Sequence, residues 1–264
     1  MQHRKTVWAL KALHGQHKDL VEQPLVDQAL SWKWLNSAEL KPETEGFIMA
    51  AQDQALNTNY YKKKILGSDT DGKCRICHIC DETVAHLISG CPVLAPTDYT
   101  WRHDKIGKYI HLQLFKHFKI GTQTDKWYEH QPPNVVDNET VTILGNIPVI
   151  TDREIKNNRP DIIIKHKLEK TCLFIDFTVP FDKNVLRKEQ EKFDKYRDLK
   201  MECEKMWDTK VEIVPIVVGS TGVVKQGILK YIEKIPGNIK FEMIQKIVLL
   251  GTAHILRKCL NSPL

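Results

Sequence analysis

Two acidic residues stand where apolar strands would ordinarily carry none. Asp161 heads the run DIIIKH, directly after Arg159 and Pro160, and Asp176 lies inside TCLFIDFTV, with fourteen residues between the two acids. A strand, a turn through positions 166–170 and an antiparallel return would bring both carboxylates toward one end of a hairpin. Two carboxylates on adjacent strands make a hard-oxygen site suited to Mg2+ or Mn2+, ions that keep waters and also bind a substrate phosphate. Asp161 alone reads as a strand-start residue after a proline. Asp176 is harder to account for, because an acid inside an apolar strand is costly unless paired or solvated. An ammonium completes such a site by orienting water or stabilising a pentavalent phosphate. The stretch QEKFDKYRDLK supplies Lys192 and Lys195, and Lys192 shares a helix face with Tyr196 four positions on. For each lysine taken singly, a solvated charged helix is the competing reading.

A second constellation is CRICHICDETVAHLISGC. Cys74 and Cys77 have the two-residue gap that lets both thiolates face one ion, and His86 and Cys91 follow at spacings suited to a turn or helix. These four are the expected zinc ligands, with His78 and Cys80 as spare candidates. A closed four-ligand site of this kind is structural. Cys172, Cys203 and Cys259 are far apart and read as small buried hydrophobes. Basic residues flank the cluster. Lys62, Lys63 and Lys64 precede it, and Arg102 and His103 open the next helical stretch. Cations beside a zinc module fit contact with a nucleic-acid backbone, against the alternative of a solvated helix start.

Composition sets wider bounds. The chain has 264 residues, a net charge of +6, a hydrophobic fraction of 42% and seven cysteines. That length holds a substantial core in one or two domains, and the charge permits a polyanionic partner without requiring one. An odd cysteine count with no apolar leader argues against a disulfide framework. Without a run of 18 apolar residues, no membrane span is expected. The expected setting is intracellular.

The elements that must position these residues fall in three parts. Residues 1–68 carry helical patterning, notably PETEGFIMAAQDQAL. Residues 69–123 hold the cysteine cluster and a basic helix from Tyr99 to about Phe118. The polar, proline-bearing TDKWYEHQPPNVVDNET marks the boundary to a third part, residues 124–264. There the expected strands are VTILG, PVITD, DIIIKH, TCLFIDFTV and VEIVPIVVG. The expected helices run from about Lys183 to Asp208, Val223 to Ile235 and Lys240 to Cys259. The class is α+β or α/β, a mixed sheet flanked by helices.

The ordered set of motifs resembles the C-terminal end of certain non-LTR retrotransposon polyproteins, which finish in a zinc knuckle and a restriction-enzyme-like endonuclease. The set is Cys-x2-Cys with His86 and Cys91, Arg102-His103, Arg159-Pro160-Asp161, Asp176-x-Thr178-Val179-Pro180, and Lys192-x3-Tyr196. It covers about residues 70–220. The resemblance implies a restriction-endonuclease-like fold and metal-dependent nicking of target DNA for element integration. Asp161 and Asp176 would bind the catalytic metal. Lys192, with Tyr196 beside it, would stand in for the lysine that many such nucleases place two residues after the second acid, a position held here by Thr178. Arg102 and His103 match a basic motif implicated in DNA handling. Implied partners are DNA and element RNA, and the implied location is the nucleus. The family's polymerase lies upstream and its adjacent aspartate pair occurs nowhere in this chain. The alternative is therefore a zinc-containing, nucleic-acid-binding remnant without activity.

Overall fold

The computed structural model describes residues 15–121 and 124–261. The first fourteen positions, part of the stretch read as lacking a leader, lie outside the described residues. Short helices come first: α1 (Gln16–Val21), α2 (Gln28–Trp32), α3 (Trp34–Ser37), α4 (Pro42–Gln52) and α5 (Asn59–Lys64). Their starts are written locally. The Asp27 carboxylate accepts from Leu30 N–H at 3.0 Å, and the Thr58 hydroxyl accepts from Tyr61 N–H at 3.2 Å. Pro42 takes the first turn of α4, where a missing N–H costs nothing. Then follow α6 (Val84–Ser89), capped by Thr83, and the long α7 (Thr100–His117), entered through a π turn at Ala95–Tyr99.

The second half builds a five-stranded sheet in the order β1 (Val135–Asp137), β2 (Val141–Gly145), β3 (Ile162–His166), β4 (Thr171–Thr178), β5 (Lys210–Val217). β1 to β4 pair antiparallel, and β5 joins β4 in parallel across the helix α8 (Val185–Trp207). A parallel neighbour demands such a crossover. The short α9 (Ile228–Ile232) and the long α10 (Phe241–Asn261) complete the chain. Among the described residues no helix is long and apolar enough to cross a membrane.

Strand alternation sorts the side chains into two layers. Ile162, Ile164, Ile175 and Phe177 pack with Ile106 and Ile110 of α7 and Ile244 and Val248 of α10. Ile163, Cys172 and Phe174 point the other way, onto Tyr196, Leu199 and Cys203 of α8. Cys172 and Cys203 are thus buried hydrophobes, and Cys259 is one in a third cluster that joins α6 to α10.

The three expected parts do not separate in space. α7 packs under the sheet, and Trp34, fully buried, packs on Leu249 and Ala253 of α10. One guanidinium crosses between parts. Arg102 on α7 donates to Thr252 Oγ1 (2.8 Å), Ile88 O (2.9 Å) and Val179 O (3.3 Å), so it joins α10, α6 and the end of β4. Gly251 makes room for it: a Cβ there would lie 2.6 Å from Arg102 Cγ.

Three expectations need correction. PVITD is irregular, with Ile150 exposed, because Val149 spends its N–H on Asn158 O (2.8 Å) and its carbonyl on the Asn158 side chain (3.1 Å) instead of on a strand. β1 itself falls inside the stretch read as a boundary. The helix expected from Val223 shrinks to α9, since Val224 and Lys225 run extended beside Val26 and Asp27 and Gly227 (φ 91°) intervenes.

Replacing a helical glycine by alanine ordinarily stabilises by about 1 kcal/mol. Gly251→Ala should instead lower the melting temperature, because Arg102 cannot move out of its cage. In an Arg102→Ala background the same change should turn neutral or favourable. Thermal melts of the four-member cycle measure this coupling, and additive effects would remove the clash from the account.

Candidate functional site

The knuckle folds so that four ligand atoms converge. The sulfurs of Cys74, Cys77 and Cys91 and a His86 ring nitrogen lie within 4.8 Å of one another, and Cys77 Sγ is 3.3 Å from His86 Nε2. A tetrahedron with bonds of about 2.0–2.3 Å has edges of roughly 3.3–3.8 Å, so the set fits a zinc ion. His78 takes the left-handed turn (φ 57°) that reverses the knuckle and Cys80 is exposed, so neither joins. Burial pushes the Cys74 thiol up to about 12. Burial also acts upward on Cys77, but the N–H groups of Cys80 and Ile79 outweigh it and hold that thiol below its ordinary range.

Beside the ligands, Glu82 is fully buried and receives Arg75 through Nε (3.0 Å) and Nη2 (2.8 Å). Asn59 N–H reaches the same carboxylate at 2.8 Å, and Arg75 Nη1 donates to Leu260 O at 3.1 Å. The knuckle is thereby fastened to α5 and to the end of α10.

The β3–β4 hairpin ends its register at Ile162 opposite Ile175. One residue further, Asp161 lies beside Asp176. Alternation turns Asp176 to the α8 side, where it is only 2% exposed. There α8 extends its buried stripe of Tyr196, Leu199 and Cys203 by one turn to Lys192. Lys192 Nζ lies 2.7 Å from Asp176 Oδ1 and 3.0 Å from Oδ2, and Lys195 Nζ is 3.5 Å from Oδ1. The aligned hydrogen bond goes to Oδ2, so buried Oδ1 has cations near it and no aligned donor. Burial, then the charge of Asp161, raises the Asp176 carboxyl above its ordinary value, with Lys192 and Lys195 opposing.

Asp161 has a different environment. Its Oδ2 accepts from Phe177 N–H at 2.8 Å and meets His103 Nε2 at 3.2 Å. Burial would push this carboxyl up, but His103 and the amide outweigh it and hold it low. His103 also meets Asp104 Oδ1 at 3.0 Å and stacks on Phe177, with centroids 4.5 Å apart. Burial disfavours its charge, yet the hydrogen bonds to Asp104 and Asp161 prevail and raise it to about 9.

Several residues expected at the surface or in catalysis lie elsewhere. Arg102 is buried and spent on three neutral acceptors, so it cannot meet a phosphate as expected. His103 lies on the acid pair rather than on an open basic face. Tyr196 does stay beside the acid pair. It is fully buried, and its hydroxyl donates to Arg159 O (3.0 Å) and accepts from Lys195 (2.6 Å), which also faces Asp176. Burial, then the charges of Asp176 and Asp161, push its hydroxyl pKa up. Lys62, Lys63 and Lys64 end α5 near the knuckle, with Lys63 Nζ donating to Asp71 O at 2.9 Å. Sequence reading missed His103 as a partner of Asp161, since the two are 58 positions apart.

Asp161 opens onto a cleft of about 260 Å3 between α7 and residues 131–134, bordered also by His103 and Phe177. No protein-family model matches the chain, and no curated protein matches it significantly.

Purified chain should carry zinc at one-to-one stoichiometry by elemental analysis, and chelation should lower its melting temperature sharply, since structural zinc supplies folding free energy. Zinc-free protein with an unchanged melt would refute the site. The His103 pairing has its own signature in pH. Its folded pKa of about 9 exceeds the unfolded value of 6.5. Its contribution is therefore complete below pH 6.5 and vanishes as pH rises through about 9. Chemical denaturation of wild type and His103→Gln should show a stability gap that closes across that window.

Proposed function

We propose that the chain is a divalent-cation-dependent endonuclease that nicks DNA, of the kind found at the end of non-LTR retrotransposon polyproteins. The observation that carries this reading is Asp176, a buried carboxylate aligned with a second acid and a lysine amine, with Oδ1 lacking an aligned donor. The retroelement part rests on the order of motifs, and a restriction-like sheet and a nuclear location belong to the same proposal.

Asp161 and Asp176 would hold Mg2+ or Mn2+. A cation bound there supplies a Lewis acid for the phosphodiester and makes water a better nucleophile. The chain's own groups do the rest. His103 and the Phe177 amide fix Asp161 as the ionised member of the pair. Lys192 projects its ammonium at the acids, where it can donate to a phosphoryl oxygen as negative charge accumulates. Tyr196, braced on Arg159 O, holds the strand entry that sets the spacing of the acids. DNA would reach the site through exposed cations such as Lys64, with salt-dependent affinity.

A second reading is favoured by one observation: both acids already have protein cations, Lys192 and Lys195 on Asp176 and His103 on Asp161. This arrangement also suits a binding module without catalysis. A plasmid-nicking assay with Mg2+ or Mn2+ separates the two. The nuclease reading expects nicking that Asp176→Ala reduces roughly 100-fold or more, with DNA affinity nearly unchanged because the basic surface is intact. Lys192→Ala should cost less where Lys195 can substitute. A wild-type chain that binds DNA yet nicks nothing under either cation would leave the binding module.

A further inference from the structure

The cleft beside Asp161 has a composition that the acid pair does not explain. Its volume, about 260 Å3, is below that of sites for drug-sized ligands and suits a single planar ring system. The walls are apolar where Phe177, Ile162 and Pro132 contribute. Toward solvent stand three neutral amides, Gln131, Asn134 and Asn146. Each offers a donor and an acceptor, which suits a ligand edge that carries both. The charges bordering the same space offset one another, Asp161 and Asp104 against Lys108 and the raised His103, so the lining favours neither sign.

The inner wall supplies an independent pointer. His111 also lines the cleft and is only 1% exposed. Its Nδ1 is engaged by His130 Nε2 at 2.8 Å, and its ring stacks on Phe115 with centroids 4.4 Å apart. Nε2 is buried with no aligned partner; burial, then the neighbouring His130, pulls the ring down to about 4, and a contact with the Pro133 carbonyl opposes this only weakly. A buried ring nitrogen left so is costly unless something completes it.

We propose that this cleft takes one unstacked nucleobase of the DNA strand whose phosphodiester lies at the acid pair, its edge met by Gln131, Asn134, Asn146 and His111 Nε2. This inference rests on the proposed function, in that DNA must reach Asp161 and Asp176. It adds a substrate preference. Withdrawing a base from a duplex costs a few kcal/mol and least where it is mismatched or already single-stranded. Strands with an unpaired base next to the scissile position are therefore the preferred substrates.

The test uses the full chain with 15N-labelled histidine and no divalent metal. The four deoxynucleoside 5′-monophosphates are titrated while the His111 ring signals are followed by NMR, with deoxyribose 5-phosphate as control. At least one nucleotide should shift the His111 signals saturably and the control should not. Asn134→Trp, at an exposed position whose backbone carbonyl still serves Gly145 N–H, should abolish the shift. Gln131→Trp provides the same block from a second exposed position. No shift with any nucleotide, an equal shift with deoxyribose 5-phosphate, or a shift that survives both tryptophans overturns the proposal. The nicking assay stands apart from this. A chain that binds nucleotide but never nicks loses the nuclease reading and keeps the cleft, and one that nicks without a His111 response does the reverse.

Discussion

A positive charge whose hydrogen bonds all go to neutral acceptors, with the Asp182 carboxylate acting on it only from a distance, organises this molecule. Arg102 is sealed between α6, β4 and α10, held by two backbone carbonyls and one hydroxyl, and burial pulls its guanidinium down to about 10. Neutral acceptors can house such a charge only if several are aimed at it together. That requirement fixes how the helix carrying His86, the end of the acid-bearing strand and α10 meet. It also sets His103, because neighbours on a helix point about 100° apart. With Arg102 turned inward, the next side chain is turned onto Asp161. The zinc cluster and the acid pair are thus oriented by consecutive residues of one helix.

The two acids show how environment divides like groups. Asp161 receives an amide and an imidazole and stays low, whereas Asp176 is more deeply buried, faces its neighbour's charge and moves up. Carboxyls pushed apart in this way are suited to separate tasks in one site. The cations that offset them come from opposite layers, His103 from α7 and Lys192 from α8. The sheet edge between those helices is where the charges of both layers meet.

Much of this was legible in the residues, for identifiable reasons. The Cys-x2-Cys spacing with His86 and Cys91 is a local signal, and the structure gathers those four. The hairpin of Asp161 and Asp176 was readable because period-two patterning and a short turn leave little freedom of register. Lys192 was readable only as a residue sharing a helix face with Tyr196, and its place on the acids came from the resemblance. What was hidden was tertiary. Nothing near Arg102 announces that its partners are a threonine 150 positions away and two carbonyls. His103, an ordinary polar residue at a helix start, acquires its meaning only from a strand 58 positions later. PVITD has the composition of a strand, but Val149 pairs with Asn158 nine positions on, a local loop contact that composition does not record.

The last helix has a consequence for how the chain becomes native. α10 contributes to the core under the sheet, to the cluster beside the zinc ligands and to the packing of Trp34. Gln245 on it donates to the carbonyl of Leu30, 215 positions earlier. Pairings at such separations are slow to form, because the loop must close before any contact rewards it. On the ribosome the helices and hairpin emerge first, with three apolar surfaces awaiting a segment not yet made. Until α10 emerges those surfaces stay uncovered, and a product ending before it would expose them and aggregate rather than fold partway.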